Sequence, residues 1–157
     1  MEFPDRIYTL EEFKKARTFI DQGHKHRLRI VGSPAFNKIV KQILALIRKA
    51  DYYDFLRTYI RTITEIDGIS QLREAEATIW LNTDMVKNII EGARFVIQKT
   101  EQMKYYLAGE QHFEKGELPT VNKSVEFLQN LRKKRLTEEL KDKCDETIRL
   151  WTSKTIL

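Results

Sequence analysis

The chain has 157 residues, 41% of them hydrophobic and 32% charged, with a net charge of +5. That length suits one domain with its own core, and this composition, with Cys144 as the single cysteine, excludes a disordered tail, a collagenous fibre and a disulfide scaffold. The longest apolar run, 43–47, is far short of the ~20 residues that span a bilayer, and residues 1–6 lack a basic start followed by an apolar stretch, so the expectation is a cytoplasmic domain.

Thr9 and Glu12 stand at capping-box spacing, with Leu10, Phe13, Ala16 and Ile20 at helical intervals behind them and Gly23 as a stop, which predicts a short first helix. Residues 25–30 alternate as a strand does, too briefly to make a sheet alone. Ser33-Pro34 opens a second helix, because serine caps free N–H groups and proline suits the first turn; Phe36, Val40, Ile43, Ile47 and Ala50 form its apolar stripe. Asp51 is placed to cap a third helix, antiparallel to the second, in which Tyr52, Leu56, Tyr59, Ile63 and Ile66 repeat the stripe up to Gly68. A short helix over 70–81 is expected next, then a long central one over 84–107, an exposed connection over 110–119, and helices over 120–134 and 137–153. The expected fold class is all-α: one domain over 1–157, a compact bundle of five to seven helices with antiparallel helix hairpins. Its core is expected to include Phe36, Val40, Ile43, Ile47, Tyr59, Ile63, Ile89, Val96 and Leu128.

Phosphate loops, dinucleotide fingerprints, zinc-protease helices and nucleophile elbows all have readable spacings, and none occurs, so no catalytic residue and no cofactor is assigned. His24 and His26 would project to one side of an extended segment and could share a metal with Asp21 or Glu110. Spacing fixes no third ligand, so the ordinary reading is a solvated pair and no metal ligand is assigned. Cys144 falls on the inner face of the last helix with Leu140 and Ile148. Arg73 and Glu76 are read as an ion pair on a helix surface. Tyr52, Tyr53 and Tyr59, with Arg57 and Arg61, have the makings of a stacking surface, although two of the tyrosines already belong to the core stripe.

Charge is distributed unevenly. Residues 1–66 carry 13 basic and 8 acidic side chains, 67–119 carry 6 and 9, and 120–157 carry 9 and 6. The span 22–50 holds Lys25, Arg27, Arg29, Lys38, Lys41, Arg48 and Lys49 without one acid. If 25–29 is extended, Lys25, Arg27 and Arg29 form a basic comb at ~6.6 Å intervals that leads to the helix start at Ser33, with Lys38 and Lys41 one and two turns on. These six residues are the candidate site for an anion or partner, against the ordinary reading of a solvated connector. The run Arg132-Lys133-Lys134-Arg135 reads as a favourably charged helix end. Three functional readings follow, in this order: a non-catalytic helical module that binds another macromolecule, foremost a protein; a basic nucleic-acid-binding protein; and a metal-dependent enzyme using the His24/His26 region.

Overall fold

The computed structural model describes residues 2–109 and 118–156, and it overturns the all-α expectation. The chain is 64% helical but also builds a four-stranded mixed sheet. In chain order the elements are α1 (Leu10–Asp21), β1 (Arg29–Val31), α2 (Pro34–Lys49), α3 (Tyr53–Tyr59), β2 (Thr62–Ile66), β3 (Gln71–Arg73), a 3-10 turn (Glu74–Glu76), β4 (Thr78–Asn82), α4 (Thr83–Val86), α5 (Ile89–Leu107), α6 (Leu118–Arg132) and α7 (Glu138–Ile156). The expected connection at 110–119 lies for the most part outside the described residues, as do His112 and Glu110. No helix among the described residues is long and apolar enough to cross a membrane.

The helix starts follow from their caps. Thr9 Oγ1 accepts from the Glu12 N–H while the Glu12 carboxylate accepts from the Thr9 N–H, a complete capping box. Ser33 Oγ accepts from the Phe36 N–H, with Pro34 in the first turn.

The corrections fall between residues 51 and 88. Asp51 does not cap α3; it takes φ +66°, and the N-cap position belongs to Tyr52, which makes no side-chain cap bond. Ile60 is already extended, so the predicted third helix stops at Tyr59 and its second half becomes β2. Thr62, Ile63, Thr64 and Ile66 are all β-branched, which restricts χ1 in a helix and suits a pleated surface. The predicted helix over 70–81 is β3, the 3-10 turn and β4, so Arg73 and Glu76 do not form a helical pair. The predicted helix over 84–107 breaks at Lys87-Asn88, where Asn88 caps α5 by accepting from the Glu91 N–H.

The strand order is β1-β2-β4-β3, with β1, β2 and β4 parallel and β3 antiparallel to β4. The loop from β2 to β3 passes the end of β4, where Asn82 Nδ2 donates to the carbonyls of Asp67 and Gly68 and the Asn82 N–H donates to Ser70 Oγ. Register sets two faces. Ile30, Ile63, Ile79 and Leu72 lie in one row and turn inward; Ile63 and Ile79 are completely buried, together with Leu81. The helices supply the other side of this core through Phe36, Val40, Ile43, Ile47, Ile90, Val96, Phe127 and Leu128. Of the core residues expected from the sequence, only Tyr59 and Ile89 are half-buried rather than buried. The fold is therefore two-layered, with helices packed on one face of the sheet.

Candidate functional site

The opposite face of the sheet carries a different chemistry. By the same register, Arg29, Thr62, Thr78 and Arg73 form one row across the four strands, Val31, Thr64, Trp80 and Gln71 the next, and Ile66 and Asn82 a third. Arg29, Val31 and Arg73 are exposed, and Thr62, Thr64, Gln71 and Trp80 are half-buried. Not one of the strand side chains pointing to this face is a carboxylate, although Glu65 sits on β2 between two of them. Glu65 points inward instead, because side chains alternate along a strand. Its Oε1 accepts from the Ser33 N–H at 2.8 Å and its Oε2 accepts from Thr83 Oγ1, which holds the carboxyl below its ordinary range. Gly32 allows this approach: a Cβ there would lie 2.8 Å from the Glu65 Cβ and 2.5 Å from the Phe36 ring.

That arrangement bears on the candidate residues one by one. His26 is buried, Lys25, Leu28 and Ile30 are half-buried, and Arg27, Arg29 and Val31 are exposed, so the alternation holds over 26–31 but not at Lys25. Arg29 stands on the open face from β1, an edge strand, while the exposed Arg27 and the half-buried Lys25 lie in the irregular segment that leads into it. None of the three makes an ion pair among the described residues. Ser33, by contrast, spends its N–H on Glu65, so the start of α2 is neutralised from within. Lys38 and Lys41 are exposed on α2, on the helical layer rather than on the open sheet face.

The centre of the open face went unseen in the sequence. Trp80 lies mid-sheet on β4, and the Arg73 guanidinium carbon sits 4.4 Å from its ring centroid. Arg73 Nη1 also donates to Gln71 Oε1 at 3.4 Å. The available signal was the period-two pattern of 62–64 and 78–81, in which threonine or tryptophan alternates with isoleucine or leucine.

Other groups singled out in the sequence serve the fold. Tyr52 stacks edge-on against Phe127, Arg48 lies 4.1 Å over Tyr53, Arg57 Nε donates to the His26 carbonyl, and Arg61 donates to the carbonyls of Pro4 and Asp5. Arg132 pairs with Asp145 and Lys134 with Asp51. Cys144 is buried, which pushes its thiol up to about 11.

His24 and His26 meet edge to face, 4.9 Å between ring centroids, with Phe3 stacked on His24. Among the described residues no third histidine, cysteine or carboxylate joins them to hold a metal. Burial, followed by the charges of His24, Arg61 and Arg57, lowers His26 to about 3. Since the unfolded chain binds this proton near pH 6.5 and the folded chain does not, stability is full above pH 6.5 and falls toward pH 3. The loss is at most about 1.4 kcal/mol per pH unit. His26→Leu should flatten the fall of the urea midpoint between pH 6.5 and 4.5, above the range in which carboxylates such as Glu12 and Glu65 contribute. An unchanged pH profile would remove His26 from the cause.

Comparison with protein-family models, with curated proteins and with solved structures finds no match.

Proposed function

We propose that the chain binds nucleic acid, with phosphates held by the basic edge of the open sheet face. The observation that carries this reading is charge segregation. Arg29 stands on one edge, with Arg27 and Lys25 in the segment that leads into it, and Arg73 stands on the other, while the only carboxylate of β2 is turned inward and tied to Ser33. Cations without acidic partners keep their full attraction for a polyanion, and each phosphate neutralised releases counterions. Four strands at ~4.8 Å spacing make the face about 14 Å wide, room for one strand laid across it.

Protein binding, the first reading from sequence, has less support. Among the described residues the exposed large apolar side chains are Tyr8, Leu10, Val31, Ile69, Leu118 and Leu150, spread over the N-terminal segment, α1, β1, the β2–β3 loop, α6 and α7. Single apolar residues of this kind are ordinary on a protein surface.

The test is a salt series of oligonucleotide binding to the wild type and to a triple Lys25→Ala, Arg27→Ala, Arg29→Ala variant. The variant should bind at least about tenfold more weakly at low salt, with a slope of log affinity against log salt shallower by about 2, at roughly 0.7 per phosphate contact on a single strand. Equal affinity and equal slope in a folded variant would refute the reading. Tight binding of an acidic peptide with no binding of any oligonucleotide would move it to a protein partner.

A further inference from the structure

We infer that the open sheet face selects unpaired nucleotides, with a base stacked on Trp80 and Arg73 closing over it. This rests on the nucleic-acid reading above but adds the class of ligand and the residues that choose it. Trp80 is half-buried and set in the middle of the sheet, and it is not one of the aromatic residues packed against the core. The chain's other tryptophan is bound up in the fold: the Trp151 Nε1–H donates to Glu91 Oε1 at 2.8 Å and the ring lies 3.6 Å from the Arg94 guanidinium carbon.

The neighbours of Trp80 match such a ligand. Thr64 on β2 and Gln71 on β3 flank it in register, placing a hydroxyl and an amide beside the ring where the edge of a base would lie. Arg73 is exposed and lies over the indole, so a base that stacks on Trp80 must first displace it, after which Arg73 offers a planar cation to the outer π face of the base and a charge to its phosphate. Arg29 and Arg27 on the far edge receive the backbone one or two nucleotides along. A duplex hides its base faces within its own stack, so stacking on Trp80 is open to single strands alone. RNA and DNA single strands share this chemistry of base face plus phosphate.

The experiment compares four probes of equal length: single-stranded RNA, single-stranded DNA, an abasic DNA strand with the same phosphates, and duplex DNA. Each is titrated against the wild type, Trp80→Ala, Trp80→Phe, Arg73→Ala and the triple comb variant. Circular dichroism and urea midpoints establish that each variant is folded. Trp80→Ala should lose roughly 5- to 150-fold for the single strands, the range for one stacked base, and nothing for abasic or duplex probes. Trp80→Phe should keep most of the affinity, and wild-type tryptophan fluorescence should be quenched by the single strands. A larger loss for RNA than for DNA would assign the ligand to RNA, and the reverse would assign it to DNA.

Should Trp80→Ala and Arg73→Ala bind single strands as the wild type does while the comb variant loses affinity, the stacking inference fails and the phosphate-edge reading stands. Wild type that binds abasic and base-bearing strands equally overturns the inference without any variant. If no probe binds the wild type at low salt, both fall together.

Discussion

Replacing Glu91 by alanine is expected to lower stability by about 3–5 kcal/mol, the cost of stripping the partner from a buried charge. Arg94 is only 2% exposed, yet it is a permanent cation. Its Nε donates to Glu91 Oε1 and Oε2 at 2.8 and 3.0 Å, its Nη2 lies 2.8 Å from Oε2, and its Nη1 donates to Gln98 Oε1 at 2.7 Å and Ser124 Oγ at 3.1 Å. Trp151 covers the guanidinium and bonds the same carboxylate, so one ion pair fastens α5, α6 and α7 together. The pair itself need not be strongly stabilising, since desolvation offsets much of its attraction. Removal of Glu91 alone leaves the charge in place and takes away its counterion. A Glu91→Ala, Arg94→Met double variant should therefore recover most of the loss, and urea denaturation of the wild type and the two variants measures this directly. A single Glu91→Ala loss under 1 kcal/mol would show that Arg94 is hydrated in the folded state.

What the sequence discloses here depends on the distance over which a signal acts. The caps at Thr9 and Ser33 and the stripe of α2 are local, and all three match the structure. Residues 60–82 misled for a physical reason: Ile63 and Ile66 are three apart and imitate a helical stripe, yet in β2 they face opposite sides of the sheet. Threonine blurs the pattern further, because it is β-branched like valine and polar like serine. Strands that pair in parallel need a crossover, so the partners of Arg29 and Thr62 are remote in sequence and no local window contains them. The alternation of basic and apolar residues at 25–30 is plain in the sequence. Its relation to Trp80 and Arg73 is not, because the sheet that joins them is not legible locally. Ser33 is legible as a cap, but the carboxylate that meets the helix start there is not, because Glu65 reaches the Ser33 N–H only through the β1–β2 pairing.

The packing of α2 on α5 gives the second large effect. Ile43 is completely buried, and a Cβ built on Gly92 of α5 would come within 2.7 Å of its Cδ1, so the isoleucine lies against bare helix backbone. Ile43→Ala should cost about 2–5 kcal/mol, toward the upper end because Gly92 has no side chain with which to fill the void. Gly92→Ala alone sets two opposing effects against each other. Alanine is favoured over glycine inside a helix by about 1 kcal/mol, whereas overpacking a tight contact costs about 1–3 kcal/mol. With Ile43 already shortened, the overpacking vanishes and the helical preference remains, while the new methyl occupies part of the cavity. The double variant Ile43→Ala, Gly92→Ala should therefore be more stable than Ile43→Ala by about 1 kcal/mol or more, a coupling that two independent sites would not show. Urea midpoints with unchanged slopes across the cycle would measure it. Strict additivity of the two single effects would mean that Ile43 and Gly92 do not touch.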